Sequence, residues 1–172
     1  SPRVGVWPSP RGALGRDDVV GVGFGGARLS PLIRHYDLLV APLRPALLVV
    51  GAGANDLEKD AAGVDDIVAR VCALIDQAHH HDATLPVRVL ALKPGPYHRD
   101  RMGLMRTANQ ALATRLGGIA GASLVDGFTP FLDADGFADP RHYARDQRHL
   151  NADGYALWSS ILAGHLPAAP AG

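Results

Sequence analysis

Apolar and polar positions alternate along this chain in two periods, and the switches between them mark out the elements. Ala46–Val50 (ALLVV) is an unbroken apolar run, the pattern of a strand buried on both faces of a parallel sheet. Between residues 63 and 80, Val64, Ile67, Val68, Val71, Leu74 and Ile75 recur at helical spacing. Pro86–Leu92 reads as the next strand and is ended by Lys93-Pro94-Gly95-Pro96. A helix from about Asp100 to Arg115, a strand at Ser123–Val125 and a last helix from about Ala152 to Leu162 follow.

Upstream the pattern is more broken. Arg3–Trp7 (RVGVW) is a short β-type run stopped by Pro8 and Pro10, and Asp18–Val22 is a second strand candidate. Pro8, Pro10, Gly12 and Gly15 exclude a regular helix across residues 8–15. Ser30 is placed to cap a helix through about Val40, with Leu32, Ile33, Tyr36 and Leu39 or Val40 on one face. Strands alternating with helices predict an α/β fold, a parallel sheet with helices on both faces.

Composition adds bounds. The 172 residues suit one domain, assigned to 1–166, with an Ala/Pro-rich tail at 167–172 expected to be loose. Formal net charge is zero, which leaves no electrostatic footprint for nucleic acid. No apolar run is long enough to span a bilayer, so a soluble chain, cytoplasmic or a secreted mature form, is expected. The chain starts at Ser1 without an initiator methionine, which suggests removal of an upstream segment. The single cysteine, Cys72, falls in a helical apolar pattern and reads as a buried structural thiol.

Candidate chemistry gathers beyond the carboxyl ends of the strands, where open α/β sheets bind ligands. Gly23–Gly26 follows the second strand candidate, and Gly51-Ala52-Gly53-Ala54-Asn55-Asp56 follows ALLVV. The segment Asp146-Gln147-Arg148-His149-Leu150-Asn151-Ala152-Asp153-Gly154-Tyr155 puts an acid three residues before a histidine and leads straight into a helix. A carboxylate on His149 Nδ1–H would fix the tautomer that leaves Nε2 free to take a proton.

These three blocks resemble those of the SGNH hydrolases, also called GDSL esterases and lipases, over about Gly21 to Leu166. The resemblance implies a flavodoxin-like three-layer α/β/α sandwich with about five parallel strands. It also implies an oxyanion hole from the Gly26 backbone N–H and the Asn55 side chain, and an acid and base in Asp146 and His149. Preorganised donors of this kind are typically worth about 3–4 kcal/mol each in acyl transfer. The implied activity is hydrolysis of a carboxylic ester, an acetyl or other short acyl ester of a carbohydrate or small alcohol, with no metal or organic cofactor. A domain that binds such an ester or glycan without turnover is the alternative.

The family's nucleophile is the serine of a G-D-S or G-x-S motif at the end of the first strand, and this chain has no such motif. If Arg3–Trp7 is that strand, Ser9 is the nucleophile. If Trp7 instead matches a tryptophan that follows the nucleophile in some members, the serine is Ser1 or lies upstream. A site without a functional serine is the third case. Loss of a central strand would expose apolar faces and unpaired backbone groups, which favours Ser9.

Other features have plainer readings. Gly21–Gly26 fits G-x-G-x-x-G, but no acidic residue ends a following strand about twenty residues on, against a dinucleotide site. His79, His80 and His81 end a helix and point in different directions, against a metal site. Asp56 is expected to order its loop, and Arg145 and Arg148 to be solvated surface charges.

Overall fold

A computed structural model of the chain describes residues 10–22, 26–51 and 53–168. The sheet has three parallel strands, β1 (Leu48–Val50), β2 (Val87–Leu90) and β3 (Ala122–Val125), in that spatial order. Leu48 is paired with Val87, and Val87 in turn with Ala122. The helices are α1 (Pro10–Leu14), α2 (Leu29–Arg34), α3 (Tyr36–Leu39), α4 (Ala54–Lys59), α5 (Val64–His81), α6 (Met102–Leu116) and α7 (Ala152–Ala163).

Strand side chains alternate between two cores, as the pleat requires. Leu48, Val50, Val87, Val89, Ala122 and Leu124 join the larger core with α2, α5 and α6. Val49, Leu90 and Val125 face the other way, against Leu14 of α1 and Trp158, Ile161 and Leu162 of α7. Both faces of the sheet are therefore covered, which is why ALLVV carries no polar alternation. The result is the three-layer α/β/α arrangement, with three strands among the described residues where about five were expected.

The predicted strand at Arg3–Trp7 lies outside the described residues. Asp18–Val22 is irregular and no strand: Val20 and Val22 are exposed, and Val19 O accepts the Arg11 side chain at 2.7 Å. Two further expectations fail nearby. A short helix does form at Pro10–Leu14, because proline at its first position lacks only an N–H that has no helical partner there. Gly15 closes it at φ 61°. The helix expected from Ser30 to Val40 is broken in two at His35, and Ser30 lies inside α2, leaving Arg28 at the cap position with no side-chain cap bond of its own.

The later elements match closely, with α5 at Val64–His81, α6 at Met102–Leu116 and α7 at Ala152–Ala163. Cys72 is a free thiol and only partly buried, on the flank of the α5 face carrying Val71 and Ile75. Among the described residues no helix is long and apolar enough to cross a membrane.

Candidate active site

The parallel strands present their carboxyl ends on one edge, and two of the predicted blocks follow from it directly or dock onto it. After β1 the chain passes through Gly53, at φ 117°, into α4. A Cβ on Gly53 would also come within 2.7 Å of Leu92 Cδ2, so both backbone and space demand glycine. That turn sets Asn55 and Asp56 in the first turn of α4. Asn55 Nδ2 donates to Ala27 O at 3.1 Å, beside Gly26. An amide nitrogen carries two protons, so one remains for a ligand. Gly26 itself adopts φ 76°.

Asp56 is fully buried, and both of its oxygens accept the Leu29 N–H, at 3.1 and 3.2 Å. Arg70 of α5 donates to the same carboxylate at 2.7 Å and to Asp60 at 2.9 Å, while Arg28 pairs with Asp60 at 2.5 Å. Arg28, the start of α2, α4 and α5 are thus sewn together by charge-assisted bonds. The expectation that Asp56 orders its surroundings fits this, and its reach extends to α2.

The Asp146–His149 segment is a tight loop closed by a bridge between Tyr143 and Leu150. Ala144 N donates to His149 O at 2.7 Å, and Gln147 N to Ala144 O at 2.8 Å. Gln147 takes the left-handed conformation at φ 56°, turning the chain sharply between acid and base. Asp146 Oδ1 accepts the N–H groups of Arg148 and His149, each at 3.0 Å, and Oδ2 lies 2.6 Å from His149 Nδ1.

The hydrogen bond from the His149 ring, then those from the two backbone N–H groups, hold the Asp146 carboxyl well below the usual carboxylate range. An ionised carboxylate only accepts, so Nδ1 carries a proton, and in the neutral ring Nε2 is then the acceptor. The side chains of His149 and Asp146 are 35% and 43% exposed, enough for a substrate to reach the ring.

The segment after β2 supports this loop from below. Tyr97 N donates to Gln147 O at 3.1 Å, and the buried Tyr143 hydroxyl donates to Pro94 O at 2.5 Å. Lys93 Nζ donates to Pro94 O at 3.1 Å and reaches Arg148 O at 3.4 Å, 4.6 Å above the Tyr143 ring. Burial pulls the Lys93 ammonium down to about 8, against a smaller opposite pull from Asp146. Downstream, Asn151 caps α7 by accepting the Gly154 N–H at 2.9 Å and donates to Arg141 O at 2.7 Å, which fixes the exit from His149.

Arg148 is a correction. It was expected to be a solvated charge, but its guanidinium grips Glu58 of α4 at 3.0 and 3.1 Å and stacks 3.8 Å above the Tyr97 ring. Nothing in the spacing of Glu58, Lys93, Tyr97 or His98 marks them in the sequence, because each reaches the site across a different loop. Arg145 is exposed as expected.

Ser9 and Ser1 lie outside the described residues, as do Gly23 to Gly25 of the glycine block. His79 bonds Leu85 O at 3.0 Å and His81 pairs with Asp37 at 2.7 Å, so these histidines serve separate partners. Among the described residues no cluster of His, Cys, Asp or Glu is arranged to hold a metal ion.

Solved structures share this fold at low sequence identity. A candidate platelet activating factor from Streptococcus pneumonia is 17% identical, with a TM-score of 0.81 over 96% of this chain and 80% of that one. A GDSL-like lipase from Bacteroides thetaiotaomicron is 19% identical, TM-score 0.74, over 85% and 74%. An acetyl xylan esterase is 17% identical, TM-score 0.71, over 86% and 80%. No curated protein matches the chain. The sequence profile of the GDSL-like lipase/acylhydrolase family matches residues 3–157. The chain belongs to that family of ester hydrolases.

Proposed function

We propose that this protein is a serine esterase that removes a short acyl group, acetyl being the first choice, from a carbohydrate or small alcohol. Ser9 attacks the ester carbonyl while His149 Nε2 takes its proton. Asp146 steadies the imidazolium, and the Gly26 N–H and Asn55 Nδ2 receive the oxyanion. His149 then protonates the leaving alcohol, and water activated by the same ring releases the acyl-enzyme. The observation that carries this reading is the 2.6 Å contact between Asp146 Oδ2 and His149 Nδ1. The pairing of Asn55 with the segment at Ala27 supports it. The acyl preference draws on structural neighbours described as acetyl and carbohydrate esterases.

Hydrolysis of p-nitrophenyl acetate tests it. Wild type should turn over, and Ser9→Ala and His149→Ala should each lose about three orders of magnitude or more in kcat. Full activity in Ser9→Ala would reject Ser9 and direct the search to Ser1. Wild-type protein that binds acetylated oligosaccharide in calorimetry but never hydrolyses it would make this a binding domain.

A further inference from the structure

The acid–base loop and α4 are far apart in sequence, yet an ion pair joins them directly. Arg148, the residue immediately before His149, meets both oxygens of Glu58, at 3.0 and 3.1 Å. Glu58 is one helical turn beyond Asn55 on α4. The two side chains are 21% and 32% exposed, so solvent screens the pair less than a surface contact. A forked guanidinium–carboxylate contact also fixes angle as well as distance.

The surroundings hold the pair in one geometry. The Tyr97 ring backs the guanidinium at 3.8 Å, and the His98 ring meets Tyr97 edge-on with centroids 5.3 Å apart. His98 is 8% exposed, with Nε2 3.5 Å from Glu58 Oε2, too long for a good hydrogen bond. Arg101 donates to Leu57 O at 2.9 Å, a second tether on the same helix. Burial works to raise the Glu58 carboxyl, but the Arg148 guanidinium leads the opposing influences and the carboxyl stays below its ordinary value, ionised for its partner.

We propose that Glu58 and Arg148 form a positioning clasp that keeps Asn55 and the Asp146–His149 loop in fixed register for ester hydrolysis. The clasp's catalytic meaning rests on the esterase reading above; its mechanical meaning does not. Neither residue touches the reacting atoms. Together they set the separation between the general base and the oxyanion donor.

Two readouts on the full chain test this. Kinetically, Glu58→Gln and Arg148→Ala should each lower kcat for p-nitrophenyl acetate by about 10- to 100-fold with little change in KM. The double variant should be no worse than the poorer single one, because both remove the same contact. Arg148→Lys, which keeps the charge but loses the fork, should fall between. Losses that multiply in the double variant, or a kcat unchanged in both singles, would overturn the clasp. Circular dichroism of each variant guards against simple unfolding.

The second readout is residue-resolved amide exchange. Glu58→Gln should speed exchange at Ala144, Gln147 and His149, although the substitution lies on α4. Unchanged protection at those three amides would also overturn the proposal. If wild type proves inactive on esters, the esterase reading fails while the exchange experiment still decides whether the clasp exists.

Discussion

The Leu29 N–H points at the Asp56 carboxylate and is shared between its two oxygens, at 3.1 and 3.2 Å. An aspartate in the first turn of α4 thereby caps α2, a helix 27 residues earlier in the chain. The bond ties the segment holding Gly26 to the helix holding Asn55. Removing the carboxylate leaves a helix N-terminus uncapped and deprives Arg70 of one of two partners. Asp56→Ala should cost about 2 kcal/mol or more in urea denaturation, through loss of a charged hydrogen bond and a buried ion pair. A cost within about 0.5 kcal/mol, the range of an ordinary surface change, would show that Asp60 and water replace it.

Gly154 packs where no side chain fits. A Cβ there would stand 2.2 Å from His142 O and 2.9 Å from Leu150 Cδ2. The His142 carbonyl also accepts the Asn151 N–H at 3.1 Å, so it is not free to move away. Gly154→Ala should destabilise by about 1–3 kcal/mol through overpacking, despite alanine's better helix propensity. Thermal melts would show it. Because the strain falls on the exit of the His149 loop, esterase activity should drop at temperatures where the fold is intact.

Asp146→Asn tests the tautomer argument. The amide keeps the shape of the carboxylate but can turn its NH2 towards the ring, favouring the wrong imidazole tautomer. The charge that would stabilise the imidazolium is lost as well. If Asp146 plays the triad role proposed above, kcat should fall by roughly 10⁴, as for the same change in known Ser-His-Asp hydrolases. Stopped-flow acylation with p-nitrophenyl acetate would measure it, and a loss smaller than tenfold would remove Asp146 from the mechanism.

Lys93 gives stability an alkaline signature. Its ammonium is pulled down to about 8 by burial, from an ordinary value of 10.5. Between these values the unfolded chain binds more protons than the folded one, so this residue makes stability rise with pH from about 8 towards 10. Burial raises the hydroxyls of Tyr36, Tyr143 and Tyr155, which acts in the opposite sense once the unfolded tyrosines ionise near pH 10. Chemical denaturation at pH 7, 8 and 9 on wild type and Lys93→Met should isolate the lysine contribution. Parallel profiles for the two proteins would show that Lys93 is not desolvated in solution.

Much of the fold was legible. A helical period with no glycine or proline inside it located α5, and a bare apolar run located β1, because both faces of the sheet are covered. The amino-terminal quarter was harder. Asp18–Val22 is rich in valine like a strand, but Val20 and Val22 are exposed and the Val19 carbonyl serves Arg11. Proline and glycine counts excluded the helix at Pro10–Leu14 because position within a short helix, not abundance, decides whether proline breaks it. Arg148 looked like a surface charge because its partner, Glu58, lies 90 residues earlier.

By itself the sequence determined the local geometry of the candidate site. Asp146 and His149 are three residues apart on one loop, so their contact needs only a turn, and Gly53 allows Asn55 to follow β1 at once. Tertiary structure alone decided how these pieces are held to one another. The Asp56–Leu29 cap, the Arg70 and Arg28 pairs and the Glu58–Arg148 contact join groups far apart in the chain, and long-range contacts leave no periodic trace. Short-range patterns encode which conformation a segment adopts, whereas the partner of a charge depends on the packing of the whole sheet.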